Sequence, residues 1–192
     1  MKIIFFGTGE FSTTILKGLI DDGRKVVAVV TQPDKVNARN NKVVFSSIKQ
    51  YCLNNNIPLY QFEKLNLEGE EILKSYNPDI FVTASYGQMI KQNILDIPAY
   101  GTVNVHASLL PKYRGPAPIQ GAILNGEKKT GITIMKTDIG CDTGDIYFSR
   151  EITIENEDTS TSVFNKLAAL GVECVNEFFD NFEKYKDNHT PQ

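Results

Sequence analysis

Three side chains in this 192-residue sequence have the types and spacing for acyl chemistry: Asn104, His106 and Asp142. Asn104 and His106 lie two positions apart, so on a strand both point to one face. An Asn amide there can donate to an oxygen that gains negative charge. A histidine can hold or pass a proton near neutral pH. Asp142 stands between Gly140-Cys141 and Thr143-Gly144. Alone it reads as an Asx-type turn residue. If the turn returns its carboxylate beside His106, the two make a proton-transfer or charge-stabilising pair. A lone strand histidine is more often a satisfied core residue. His106, however, ends its apolar run, shares a face with Asn104, and precedes a polar, rigid loop instead of more apolar sequence. That loop, Ser108, Leu109, Leu110, Pro111, Lys112, Tyr113, Arg114 and Gly115, offers backbone donors and an apolar wall to a flat heteroaromatic ligand. So do Tyr86, Gly87, Gln88, Met89 and Ile90. Arg114 reads equally well as a solvated loop residue. Cys141 is the obvious nucleophile to test, but a reactive thiol needs a base and an electropositive setting. With only two histidines, a multi-His metal site is excluded.

The elements that must position these residues follow from periodicity. Residues 2–6 and 25–31 are continuous apolar runs, the pattern of strands buried on both faces. Between them, Phe11, Ile15, Leu16 and Leu19 recur at helical spacing over 10–22. This strand–helix–strand opening predicts a parallel sheet. Residues 32–42 read as a long polar loop, 43–54 and 68–75 as helices, and 58–61 and 79–84 as strands. Residues 91–95 read as one helical turn, 102–106 as a strand and 119–124 as a short helix. Residues 130–136 and 146–154 alternate apolar and polar, as half-buried antiparallel strands do. Residues 159–185 form a long amphipathic helix with Thr159 or Ser160 as N-cap, and 186–192 read as frayed. The expected fold is a single α/β domain over 1–192. It is doubly wound and Rossmann-like, with a mostly parallel sheet flanked by helices and antiparallel strands added towards the C-terminus. In such sheets ligands gather outside the carboxyl ends of the strands, which is where the 85–90 and 107–115 loops fall.

Composition narrows the class. A hydrophobic fraction of 41% suits one domain with a real core. The net charge of -3 lacks the basic balance of a free-standing nucleic-acid binder. No 18-residue apolar run occurs, so no transmembrane helix or membrane partner is expected. The three cysteines, Cys52, Cys141 and Cys174, have no CxxC spacing and read as cytoplasmic thiols, with neither a zinc site nor a disulfide framework. The turn Gly7-Thr8-Gly9 begins like a dinucleotide fingerprint. Its third glycine position is Ser12, however, and no acid ends the second strand.

These residues resemble the 10-formyltetrahydrofolate-dependent formyltransferases. The shared pattern is N-x-H-x-S-L-L-P, then R-G, then D-x-G, here Asn104, His106, Ser108, Leu109, Leu110, Pro111, Arg114, Gly115, Asp142 and Gly144. The resemblance is greatest to the branch that formylates initiator methionyl-tRNA. It is carried by Thr31-Gln32-Pro33-Asp34, Ala84-Ser85-Tyr86-Gly87, Ala117-Pro118-Ile119-Gln120 and Thr130-Gly131-Ile132-Thr133-Ile134-Met135, and runs to about Leu170. It implies formyl transfer from 10-formyltetrahydrofolate to the α-amine of methionyl-tRNA in the first step of protein synthesis, with no metal. Asn104, His106 and Asp142 would be catalytic. The folate would lie against Tyr86, Gly87, Gln88 and Ile90 and the turn Ile139, Gly140, Cys141, with Ser108, Leu109, Leu110 and Pro111 closing the site. Lys35, Arg39, Lys42 and Arg114 would face the acceptor.

That branch continues into a C-terminal barrel of OB-like type that helps hold tRNA. The 1–192 stretch is expected to be the catalytic domain alone, a cytoplasmic monomer that binds tRNA weakly by itself. Rival acceptors are glycinamide ribonucleotide and an amino-sugar nucleotide. Against the first, the turn at Gly9-Glu10-Phe11 lacks the serine-asparagine pair that cradles a phosphate. A rival of another class is a non-catalytic folate-binding or interaction module.

Overall fold

The computed structural model describes residues 1–36 and 43–192. Its centre is a seven-stranded sheet in the order β5-β2-β1-β6-β7-β8-β9. The strands are β1 (Lys2–Gly7), β2 (Lys25–Thr31), β5 (Leu59–Gln61), β6 (Ile80–Ala84), β7 (Thr102–His106), β8 (Lys129–Lys136) and β9 (Ile146–Thr153). From β5 to β7 every neighbouring pair is parallel; β8 runs antiparallel to β7, and β9 antiparallel to β8. This is the mostly parallel, Rossmann-like sheet with antiparallel additions that the sequence pattern predicts.

The apolar runs divide between two cores by strict alternation. Ile3 and Phe5 face one side with α1 (Glu10–Asp21), α2 (Ser47–Asn54) and α7 (Ser160–Asp180). Ile4 and Phe6 face the other with α3 (Leu65–Glu68), α4 (Glu70–Ser75) and α5 (Gln92–Leu95). A strand buried on both faces has few polar positions to spare, which is why residues 3–6 of β1 read as an unbroken apolar run and β6 carries one polar residue, Thr83. β6 is buried at every position.

Four boundaries differ from the sequence reading. Val43 and Val44 form β4 (Val43–Val44), paired antiparallel with β3 (Lys35–Val36), where loop and helix were expected. Adjacent β-branched residues favour extended backbone, and helix α2 begins only after Ser46, whose side chain accepts from Lys49 N at 3.3 Å. The expected helix 68–75 is preceded by another turn of helix, α3, with Gly69 between them. The long C-terminal helix is interrupted at Asn181 and followed by α8 (Phe182–Tyr185). Thr159 is its N-cap, in a reciprocal capping box with Ser162.

The fourth difference is the tail. Residues 186–192 do not fray. Thr190 and Ile146 exchange two backbone hydrogen bonds of 2.8 Å, and the Gln192 side chain rests on the turn that carries Asp142. Among the described residues no helix is long and apolar enough to cross a membrane.

Candidate active site

β7 ends where the parallel half of the sheet meets the antiparallel half. Its last residues put Asn104 and His106 on one face, lining a cleft of about 370 Å³. The other walls are the 85–90 segment after β6, the Gly115–Pro118 region before α6 (Pro118–Leu124), and the turn between β8 and β9 with Asp138, Gly140, Cys141 and Asp142.

Asp142 is the junction. Its Oδ1 accepts from Asn104 Nδ2 at 3.1 Å, its Oδ2 accepts from the Gly115 amide at 2.9 Å, and Oδ2 lies 3.6 Å from His106 Nδ1. Asp142 therefore meets both of the other residues chosen from spacing, although 38 residues separate it from Asn104. His106 is 6% exposed, and one ring nitrogen has a hydrogen-bond partner. Nε2 is 2.9 Å from the Tyr113 carbonyl. A carbonyl can only accept, so Nε2 carries a proton and, in the neutral ring, Nδ1 is the free base. The expected second donor from a charged His106 can thus only be Nδ1–H.

Asn104 is equally constrained. Thr83 Oγ1 donates to its Oδ1 at 3.0 Å, which leaves Nδ2 towards Asp142 with one N–H to spare. The Asp142 turn is held from inside by Asp138, which accepts from Gly140 N at 2.9 Å and Thr143 Oγ1 at 2.8 Å. Asp138, not Asp142, is the Asx-type residue of this turn. The glycine at 144 is obligatory because a Cβ there would sit 1.9 Å from the Lys136 carbonyl oxygen. Gly115 has φ +95, a backbone that presents its amide to Asp142 and that other residues adopt poorly.

Tyr86, Gly87, Gln88, Ile90, Gly140 and Cys141 all line the cleft as anticipated. Burial pushes the Tyr86 hydroxyl well up, and its ring packs edge-on against Phe6. Gln32 anchors this segment by donating to the Tyr86 carbonyl at 3.1 Å. Desolvation and the adjacent Asp142 carboxylate push the Cys141 thiol up, so it stays protonated at neutral pH and is a poor nucleophile.

Several candidates lie elsewhere. Ser108, Leu109, Leu110 and Pro111 are not among the residues that line this cleft. Leu109, Leu110 and Pro111 line a separate hollow with Glu127 and Thr130. Ser108 is fully buried and donates to the Lys112 carbonyl at 2.7 Å. The physical reason is Thr133 on β8. It donates to the Ser108 carbonyl at 2.7 Å and accepts from Leu110 N at 3.2 Å, pulling the loop down onto the sheet and away from the opening. Ile139 is 65% exposed beside the cleft without lining it. Arg114 is turned aside to Gln192. Lys35 is exposed on the β3–β4 hairpin. Arg39 and Lys42 lie outside the described residues.

Sequence reasoning missed Thr83, the Tyr113 carbonyl and Asp138. Only Asp138 left a signal, the Asp-x-Gly spacing of an Asx turn. Among the described residues no group of three or more His, Cys, Asp or Glu could hold a metal ion.

An open α/β sheet with an amide, an imidazole and a carboxylate converging at its carboxyl edge defines an acyl-transfer architecture. The sequence profile described as "Formyl transferase" matches residues 1–178, and the chain belongs to that family. It is 48% identical over 188 residues to a methionyl-tRNA formyltransferase of Caldanaerobacter subterraneus subsp. tengcongensis, covering 97% of this chain and 61% of that protein. This chain therefore spans about three-fifths of that relative's length. In fold it is similar to phosphoribosylglycinamide formyltransferase from Bacillus halodurans (TM-score 0.76, 24% identity, 90% of each chain). It is also similar to an N-formyltransferase from Helicobacter canadensis in complex with folinic acid and dTDP-3-aminofucose (TM-score 0.71, 22% identity, 100% of this chain and 67% of that one).

Proposed function

We propose that the chain transfers a formyl group from 10-formyltetrahydrofolate to the α-amine of initiator methionyl-tRNA, acting as a cytoplasmic monomer. One observation carries the chemistry: the Asp142 carboxylate accepts from Asn104 and lies 3.6 Å from His106 Nδ1, with Thr83 bonded to the far end of the Asn104 amide and the Tyr113 carbonyl to the far nitrogen of His106. The near-half identity to a methionyl-tRNA formyltransferase favours that acceptor.

The neutral amine attacks the formyl carbon, a new N–C bond forms, and the bond to the folate N10 breaks. Negative charge grows on the formyl oxygen, where the spare Nδ2–H of Asn104 is the donor. Loss of one such donor typically costs about 10²–10³ in rate. The amine must shed a proton, and N10 must gain one as it leaves. His106 Nδ1 is the base for the first transfer; once protonated it is held by Asp142, becomes the second donor, and returns that proton to N10 as the folate leaves. Tyr86, Gly87, Gln88 and Ile90 offer one wall to the folate ring, and Gly140 and Cys141 offer the other. Lys35, with Arg39 and Lys42, is proposed to face the acceptor.

The test is transfer of labelled formyl to methionyl-tRNA, glycinamide ribonucleotide and an amino-sugar nucleotide. Turnover is expected with methionyl-tRNA alone, and a loss of ~10²-fold or more in Asn104→Ala and Asp142→Ala. Preferred turnover of another acceptor would overturn the acceptor. Near-normal transfer by either variant would overturn the site.

A further inference from the structure

The carboxylate and the carbonyl of Asp142 are both tied, by different routes, to the step Arg114–Gly115. Gly115 N donates to Oδ2 at 2.9 Å. The carbonyl accepts from Gln192 Nε2 at 3.1 Å. The other end of the Gln192 amide, Oε1, accepts from Arg114 Nε at 3.0 Å and Nη2 at 2.8 Å. Gln192 Nε2 also donates to the Gly144 carbonyl at 2.6 Å. Two N–H groups and two lone pairs are all that a primary amide has, and all four are used. The result is a closed ring of hydrogen bonds running from Asp142 through Gln192, Arg114 and Gly115 back to Asp142.

The ring answers a local difficulty. Asp142 has φ +53, a conformation that costs a non-glycine residue energy and survives only when its surroundings impose it. Asp138 braces the turn from inside, but nothing on that side grips the Asp142 carbonyl. The tail delivers Gln192 to the outer side. The Thr190–Ile146 bridge fixes the approach, and His189 Nδ1 lies 2.7 Å from Asp145 Oδ2.

We infer that Gln192 is a positioning residue: its amide locks the Asp142 turn to the loop after β7, and so sets where the Asp142 carboxylate meets Asn104 and His106. The inference rests on the catalytic reading of Asp142 only for its effect on rate. It also reassigns Arg114, from an acceptor contact to the partner of this amide.

Gln192→Glu is the discriminating variant. It keeps, and strengthens, the contact with Arg114 but removes both donors and sets a carboxylate against two carbonyls. A surface Arg–Gln contact of no consequence would leave Gln192→Glu like the parent. The ring requires Gln192→Glu to behave like Gln192→Ala. In this 192-residue chain, both are expected to raise amide exchange at Gly115 and to lower kcat roughly 5–30-fold, about the factor expected when one or two such bonds are lost. The KM for the formyl donor should stay within about twofold, and the melting temperature should change little. Unchanged Gly115 exchange in both variants would overturn the ring, whatever the rates. Raised exchange with parental kcat would uphold the ring and refute the catalytic reading of Asp142.

Discussion

Thr83 Oγ1 donates to Asn104 Oδ1 at 3.0 Å across two registered parallel strands, and this bond acts with the Asp142 carboxylate to orient the Asn104 amide. Without it, Oδ1 and Nδ2 are nearly interchangeable in shape, and Asn104 must be kept oriented by Asp142 alone. Thr83→Val removes the hydroxyl at constant volume. It should lower kcat about 3–30-fold with little change in the formyl-donor KM, and Thr83→Ser should restore the rate. Steady-state kinetics on the two variants checks this, and parental kcat in Thr83→Val would show that Asp142 orients the amide unaided.

Ser108 supports the Lys112 and Tyr113 carbonyls, and the second of these fixes the proton on His106 Nε2. Ser108→Ala should therefore cost stability of about 0.5–1.5 kcal/mol, because the Lys112 carbonyl loses its side-chain donor. It should lower kcat while leaving the binding of a folate analogue unaltered. Calorimetric titration with the analogue separates this from a folate contact, which would weaken binding first.

The Gly144 backbone packs so closely on the end of β8 that a Cβ meets the Lys136 carbonyl oxygen at 1.9 Å. Gly144→Ala must shift the turn, and Asp142 with it. A loss of about 1–3 kcal/mol is expected, as for other overpacked sites, together with a large fall in transfer activity. Denaturant unfolding and the formyl-transfer assay together check both halves.

Lys49 lies 2.5 Å from Asp34 and 2.9 Å from Gln61 Oε1, beneath the β3–β4 hairpin. The Lys49 hydrogen bond, followed by that of Gln61, holds the Asp34 carboxyl below its ordinary value. A depressed folded-state value means that the stabilisation is complete above the unfolded value of about 3.9 and is lost as pH falls through the lower folded one. The stability difference between parent and Lys49→Met should accordingly be constant from pH 7 to about 5 and shrink below pH 4. Unfolding curves across that range provide the check, and a difference that persists at pH 2 would assign it to the Lys49 ammonium over the Phe45 ring, 4.1 Å from the centroid.

Periodicity by itself determined most of this protein. Unbroken apolar runs can be buried only between two helical layers, so β1, β2 and β6 announce a doubly covered parallel sheet. The two-residue spacing of Asn104 and His106 puts them on one face whatever the rest of the chain does. Local chemistry also reached the start of the last long helix, with Thr159 as one of two candidate N-caps. What the tertiary structure alone decided are relations between segments with no shared period. Ser108, Leu109, Leu110 and Pro111 read as a wall of the site, because a loop after a strand has no sequence signal for the direction it folds. Thr133, 25 residues beyond Ser108, turns it onto the sheet. Thr83 looks like any buried strand residue until register sets it opposite Asn104. Gln192 sits in a polar tail that reads as frayed, because its partners Arg114, Asp142 and Gly144 are 48 to 78 residues away. Side-chain type and spacing state which groups can do chemistry. Their protonation pattern, orientation and grip come from hydrogen-bond partners that only the folded chain brings within 3 Å.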